Sequence, residues 1–303
     1  MGRRRGEQPV VPDTDFVSYY GKPILNGPVW HSPDIPGYLF LGGLAGASSL
    51  LAAGAQATGR PGLATVAKTA AAGGIALSLV ALVRDLGKPK RFLNMLRVFK
   101  PSSPMNVGSW ILSGYGPLAG AAAASAVTGK LPRLGALATA GAAVLGPAVA
   151  SYTAALISDT AVPAWHDGFR ELPYVFVGSA AEAAGGMGLL AGPVSENAPA
   201  RKLALLGSSL ELVAFKRMTD RMGMVAEPYH DSKYIKAAEV LSVAGMAGAL
   251  LGRRSTVLTR LSGAALVGAS ALLRWGVFHA GVASAKDPKY TVVPQRERVN
   301  ARR

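Results

Sequence analysis

The stretch IPGYLFLGGLAGASSLLA, Ile35–Ala52, decides the fold class of this 303-residue chain. It holds no charged side chain, and uncharged residues continue from it to Ala57. About twenty mostly apolar residues in a helix are enough to cross the hydrocarbon core of a bilayer. In lipid a backbone must satisfy its own hydrogen bonds, which a helix does. The stretch therefore predicts a transmembrane helix.

Seven further stretches have a similar length and apolar character. The sixth and seventh are the weakest, because they are short and interrupted by Glu211 and Glu239. The chain is thus predicted to be an all-α integral membrane protein with a bundle of about eight transmembrane helices. We predict three parts of the chain, namely an N-terminal segment (1–35), the bundle (36–283) and a basic C-terminal tail (284–303). The predicted spans are Gly37–Ala57, Leu63–Val83, Met105–Val127, Leu134–Ile157, Leu172–Gly192, Ala198–Phe215, Ile235–Leu251 and Val257–Val282.

Charge and hydropathy fit a membrane protein better than a nucleic-acid-binding one. Half of the residues are hydrophobic, yet the formal net charge is +15. The basic residues lie between apolar runs and form no continuous patch, so no nucleic-acid partner is predicted. They are most numerous on the side of the N-terminus, which favours a plasma-membrane protein with both termini in the cytoplasm.

The cofactor chemistry of the chain itself is restricted by its composition. There is no cysteine, so no iron–sulfur cluster of its own is expected. Each of the four histidines lies outside the middle of an apolar run, whereas a membrane haem needs axial histidines inside the bundle. No haem is therefore expected in this chain, and any redox centre would be on a partner.

Polar residues of the predicted spans gather at the end of the bundle that carries the N-terminus. His31 and Asp34 precede the first helix, and Tyr152 and Asp159 lie at the end of the fourth. Hydroxyl and imidazole groups can donate hydrogen bonds to the two carbonyl oxygens of a quinone, whose tail suits an apolar bundle. These four residues form the predicted quinone-binding site.

Three ionisable residues lie deeper in the predicted spans, namely Glu182, Glu211 and Arg274. An ionisable group in lipid is costly, so it usually faces the bundle interior and pairs with a partner or marks a path for protons. We predict a proton relay here. The alternatives are a purely structural ion pair of the glutamates with Arg274 and carboxyl groups that are hydrogen bonded to the backbone.

Four strings of the sequence resemble the NrfD/polysulfide reductase membrane-subunit family. They are Ile35–Ala52, RDLGKPKRFLNMLRVFKPSSPMNVGSWIL at Arg84–Leu112, SYTAALIS at Ser151–Ser158 and VPAW at Val162–Trp165. The resemblance implies a haem-free subunit of eight helices that binds menaquinone or another quinone. It implies a ferredoxin-like iron–sulfur partner, which serves a molybdopterin-type or other catalytic subunit. His31 and Tyr152 stand where the family places quinone-contacting residues.

The loop after the second predicted helix is cationic and short. Such a loop suits docking against the acidic surface of a ferredoxin-like protein, although a plain positive-inside loop would look the same. Its predicted docking residues are Arg84, Asp85, Lys88, Lys90, Arg91 and Arg97.

The leading functional hypothesis is a membrane subunit of a respiratory oxidoreductase complex, surrounded by membrane lipid and inactive alone. It would exchange electrons between the iron–sulfur partner and the quinone pool. The rival hypothesis is a secondary transporter or proton-translocating subunit that uses Glu182, Glu211 and Arg274.

Overall fold

Eight long helices make up the described part of the chain. The computed structural model describes residues 24–86, 94–252 and 255–300. The helices are α1 Asp34–Ala57, α2 Pro61–Asp85, α3 Pro104–Thr128, α4 Pro132–Ser158, α5 Leu172–Ala191, α6 Ala198–Met222, α7 Lys233–Leu251 and α8 Thr256–Lys286. The described residues contain no strand, and the prediction of an all-helical membrane bundle is confirmed.

Six of these eight helices are long and apolar enough to cross a membrane. The other two are α3, which is rich in Gly, Ala and Ser, and α6, which carries charged residues near both of its ends. Large apolar side chains point outward along several helices, as lipid-facing residues do. They include Leu77, Val80, Val144, Leu206, Val240 and Leu261.

Local sequence explains where the helices begin. Proline stands in the first turn of α2, α3, α4, α5 and α6, where its fixed φ fits and its missing N–H costs nothing. The hydroxyls of Ser103, Ser232 and Ser255 accept hydrogen bonds from backbone N–H groups at the starts of α3, α7 and α8. Gly129 ends α3 in the left-handed conformation.

Helix α1 lies at the centre of the bundle, in contact with α2, α4, α5 and α8. Its closest crossing is with α4, where Gly46 and Gly146 meet so tightly that a Cβ on either would overlap the other's carbonyl oxygen. Small residues at such crossings let helix backbones approach in lipid. This crossing sets the distance between α1 and α4.

Short elements cover the end of the bundle at which α1 begins, here called the N-terminal face. They are the helices Pro163–Asp167 and Glu227–His230, together with α9, Lys289–Asn300. The buried indole of Trp165 donates a hydrogen bond to the Val277 carbonyl (2.8 Å) and stacks against Trp30. Leu25, before α1, and Tyr290, after α8, line one groove on this face, so the two ends of the described chain are on the same side.

Two ion pairs hold this face together. Arg221, at the end of α6, donates to both carboxylate oxygens of Glu171, just before α5 (2.9 and 2.5 Å). These hydrogen bonds hold the pKa of Glu171 below its usual range. Lys289 of α9 likewise donates to Glu227 (2.7 Å) and lowers the pKa of that carboxyl group. Both pairs join segments that are far apart in the sequence, by 50 residues in the first pair and 62 in the second.

Candidate functional site

A cavity of about 50 Å³ lies between α1, α2, α3 and α4 at the N-terminal face. Its wall is mostly apolar and holds only a few polar groups. The lining residues that carry the argument are Trp30, Tyr38, Asp85, Gly108, Ser109 and Tyr152. An apolar cavity with a few converging polar groups is typical of a small-molecule site.

Two tyrosines from different helices meet in this cavity. The hydroxyls of Tyr38, on α1, and Tyr152, on α4, are hydrogen bonded to each other. The ring of Tyr152 packs directly on Gly108 of α3, where a Cβ would overlap it. The Ser78 hydroxyl of α2 donates to the Tyr38 carbonyl (3.1 Å) and so joins α2 to the same layer. The tyrosine pair is therefore placed by all four helices.

A carboxylate stands at the edge of the cavity. The backbone N–H of His31 donates to Asp85 Oδ1 (3.0 Å), and the imidazole Nδ1 lies 3.3 Å from the same oxygen. The side chain of Asp85 is 9% exposed, whereas that of His31 is 77% exposed. The pair thus extends from the cavity wall to the aqueous surface, which is an arrangement able to pass a proton between the two.

Tyr152 alone of the four predicted quinone-site residues lines the cavity. His31 reaches it through Asp85, and Asp34 pairs instead with Arg84 (3.6 Å). Asp159 is exposed at the end of α4 and is not part of the wall.

The predicted docking residues are in different places. Asp85 faces the cavity, Arg84 pairs with Asp34, and Arg97 is exposed. Lys88, Lys90 and Arg91 lie outside the described residues. The end of this loop is held by Asn106, whose amide donates to the carbonyls of Met95 (2.6 Å) and Val98 (2.8 Å).

The predicted relay residues come together in the core. Glu182 of α5, Glu211 of α6 and Arg274 of α8 are 0%, 2% and 1% exposed. The three side chains are close enough for each to interact electrostatically with the other two. They lie on the opposite side of α1 from the tyrosine pair, because Arg274 contacts Gly43 and not the cavity wall.

A comparison with protein-family models matches residues 23–202 to "Polysulphide reductase, NrfD". The match covers 180 of the 303 residues and includes every wall residue named above. The chain belongs to the NrfD family. No curated protein matches it at a significant level.

Membership of the NrfD family gives the coarse function. NrfD proteins are membrane subunits of oxidoreductase complexes, interact with quinones and typically partner with iron–sulfur and catalytic subunits. The family match and the helices make this chain a multi-pass membrane protein. Among the described residues no three His, Asp or Glu side chains converge as metal ligands, and the whole chain lacks cysteine.

Sequence reasoning missed four of the six wall residues named above in this NrfD protein, among them the aromatic residues Tyr38 and Trp30. Tyr38 stands in the quoted apolar string, where a tyrosine is normally read as a core or interfacial residue. A usable signal was its position four residues after Asp34, which puts both on one face of α1. Trp30 gave no comparable signal, because it precedes the helix.

Proposed function

We propose that this chain is the quinone-reactive membrane subunit of its complex. It would exchange two electrons with an iron–sulfur partner and two protons with water as quinone and quinol interconvert. The observation that supports this most is the buried Tyr38–Tyr152 hydroxyl pair, which shares an apolar cavity with Asp85 at one end of the bundle. Menaquinone and other quinones fit this chemistry equally.

The tyrosines would bind the ring of the quinone. A quinone carbonyl can accept a hydrogen bond from a tyrosine hydroxyl, which then replaces the bond between Tyr38 and Tyr152. The cavity is small, about 50 Å³, so binding of a quinone ring would require the two tyrosine rings to move apart.

Asp85 and His31 would move protons between the cavity and the solvent. The carboxylate is anchored by the His31 backbone, so it stays at the cavity edge whatever the charge of the imidazole. The imidazole is exposed and can therefore exchange protons with water. Asp34 and Asp159 are the next carboxylates at this face.

The iron–sulfur partner would dock on the same face as the cavity. The basic residues predicted for docking would attract an acidic ferredoxin-like surface. They are Lys88, Lys90, Arg91 and Arg97. The catalytic subunit, of molybdopterin or other type, would bind beyond that partner. The positive charges on this side favour a cytoplasmic location for this face and for both termini.

Conservative substitutions in the native complex test this proposal. Tyr152→Phe and Tyr38→Phe each remove one hydroxyl, and His31→Ala removes the imidazole. We expect quinone-coupled turnover to fall about tenfold, a change of about 1.4 kcal/mol in barrier. Transfer from the natural donor to a soluble dye, which accepts electrons at the iron–sulfur partner, should be unchanged.

The matched control is Tyr174→Phe, because Tyr174 is exposed on the first turn of α5 and far from the cavity wall. It should leave both rates as in the unmodified complex. Wild-type quinone turnover in both the Tyr38 and the Tyr152 variants would place the quinone elsewhere.

A further inference from the structure

The sequence G-S-x-x-E occurs on two successive helices. It reads Gly178-Ser179-Ala180-Ala181-Glu182 on α5 and Gly207-Ser208-Ser209-Leu210-Glu211 on α6. The six residues 192–197 join the two helices, which pack along their length in opposite directions. Two copies of one motif on antiparallel helices create a local two-fold arrangement.

The two copies contact each other reciprocally. A Cβ at Gly178 would lie 2.6 Å from the backbone nitrogen of Glu211, and a Cβ at Gly207 would lie 2.5 Å from that of Glu182. Each glycine therefore lets the other helix approach beside the glutamate of the other motif. The Ser208 hydroxyl donates to Glu182 Oε1 (2.9 Å). In the other motif, the Ser179 side chain lies close to the Glu211 carboxyl group.

This arrangement places two carboxyl groups together in the dry core of the bundle. Glu182 and Glu211 act directly on one another, and both are almost completely buried. Two carboxylates that share a buried site cannot both be ionised without a large cost. Close pairs of this kind titrate as one unit.

A single positive charge faces the pair. Arg274 is held by Phe176, to whose carbonyl its Nη2 donates (2.7 Å) and over whose ring its guanidinium lies at 3.6 Å. Among the residues that the structure describes, the other neighbouring helices contribute no charge at this level: α1 presents Gly43 and α7 presents Ser242. One arginine balances one carboxylate, not two.

Several polar atoms of the cluster lack a hydrogen-bond partner within the described part of the chain. They are Oε2 of Glu182, Oε2 of Glu211, and Nε and Nη1 of Arg274. Buried polar groups are normally paired with protein or with ordered water. A proton between the carboxyl groups would supply one missing bond, and water on the guanidinium would supply others.

We propose that Glu182 and Glu211 form a binding site for one proton, which they share while Arg274 balances the remaining negative charge. The site is separate from the tyrosine cavity. Arg274 contacts α1 at Gly43, five residues or about 7.5 Å further along the helix than Tyr38 and on another side of it. The proposal therefore does not depend on quinone binding, and it adds a proton-binding site that is distinct from Asp85 and His31.

Infrared spectroscopy of the purified full-length chain tests the shared proton. At mildly alkaline pH, exposed carboxyl groups are ionised, so a protonated buried carboxyl gives its own C=O band that shifts in D₂O. We expect one such band. Glu182→Gln and Glu211→Gln should each abolish it, because the glutamate that remains is then ionised against Arg274.

Charge-balanced variants make the test stricter. In Glu182→Gln/Arg274→Gln the remaining Glu211 has no counter-charge, so the band should return. The control Glu239→Gln changes an exposed glutamate on α7 and should leave the band as it is.

Three results would overturn the proposal. If the unmodified chain shows no band, both carboxylates are ionised. If the band survives one single substitution but not the other, the proton belongs to one residue alone. If it survives both, each carboxyl carries its own proton. A variant that fails to fold is replaced by Arg274→Lys, which keeps the charge and should keep the band.

Discussion

At the scale of single residues, Gly108 controls where the ring of Tyr152 lies. A methyl group at this position would overlap the ring, so Gly108→Ala should push Tyr152 out of line with Tyr38. We expect quinone-coupled turnover in the native complex to fall at least tenfold while dye-coupled turnover stays constant. The control is Gly120→Ala on the same helix, where a Cβ would meet nothing within 4 Å. Equal quinone rates in the two variants would show that the position of this ring is unimportant.

The residues of the candidate site could be predicted only in part. The reason is that the sequence does not show which residues of two neighbouring helices face each other. Tyr152 and the loop containing Asp85 could be found because they stand in recognisable strings. Tyr38 was missed, because its role depends on meeting Tyr152, and that contact is fixed by the Gly46–Gly146 crossing between helices remote in sequence. Asp159 shows the opposite case: it is near Tyr152 in sequence but exposed at the helix end.

At the scale of helices, the contact between α5 and α6 depends on its glycines. Gly178→Ala would put a Cβ 2.6 Å from the Glu211 backbone, and a backbone cannot rotate away as a side chain can. We expect a loss of about 1–3 kcal/mol in the free energy of unfolding, as for other overpacked cores. Thermal denaturation of the purified chain in detergent measures it.

The matched control is Gly73→Ala on α2, where a Cβ would meet nothing within 4 Å. This change should be neutral or stabilise the helix by up to about 1 kcal/mol. A Gly178 variant as stable as the Gly73 variant would show that α5 and α6 can separate without cost.

The ion pair between Arg221 and Glu171 joins the same two helices at the N-terminal face. Because the pKa of Glu171 is lower in the folded chain than the usual 4.5, the pair adds stability above about pH 4.5. That stability is lost as the pH falls from there through the folded-state pKa. Glu171→Gln should therefore lower stability at neutral pH by about 1 kcal/mol and flatten the acid decline.

Denaturation of the purified chain at a series of pH values gives this measurement. Asp220→Asn is the control, because the Lys216–Asp220 pair is mostly exposed on one turn of α6 and such pairs contribute little. If the free energy of unfolding falls as steeply with decreasing pH in the Glu171 variant as in the unmodified chain, the ion pair is not the source of that fall.

The ends of the helices were less predictable than their number. Helix α6 was predicted to end at Phe215 but continues to Met222, and α8 continues from the predicted Val282 to Lys286. The extension of α6 is polar and that of α8 is short and ends in Lys286, whereas a hydropathy pattern stops where long apolar runs stop. Their helical structure depends on contacts such as Arg221 with Glu171, which hydropathy cannot reveal.

At the scale of the whole molecule, orientation in the membrane remains a prediction from charge. Both ends of the described chain lie at one face of the bundle, so a single reporter determines the side. A reporter protein that works only in the cytoplasm should be active when it is fused after Arg303, because the basic loops favour that side of the membrane. Activity of an alkaline phosphatase fused there would instead put the tyrosine cavity and the partner outside the cell. A phosphatase inserted in the loop after Gly129 is the reciprocal control.

The central position of α1 also has a consequence for biosynthesis. Of the described helices α1 leaves the ribosome first, yet its contacts include α4, α5 and α8, the last of which is translated near the end of the chain. Until α4 has been made the Tyr38 hydroxyl lacks Tyr152, and until α8 has been made the small-residue surface around Gly43 lacks Arg274. Assembly of this subunit is therefore completed only after nearly the whole chain has been made, and a ribosome that stalls before α8 leaves its central helix uncovered on the side of Gly43.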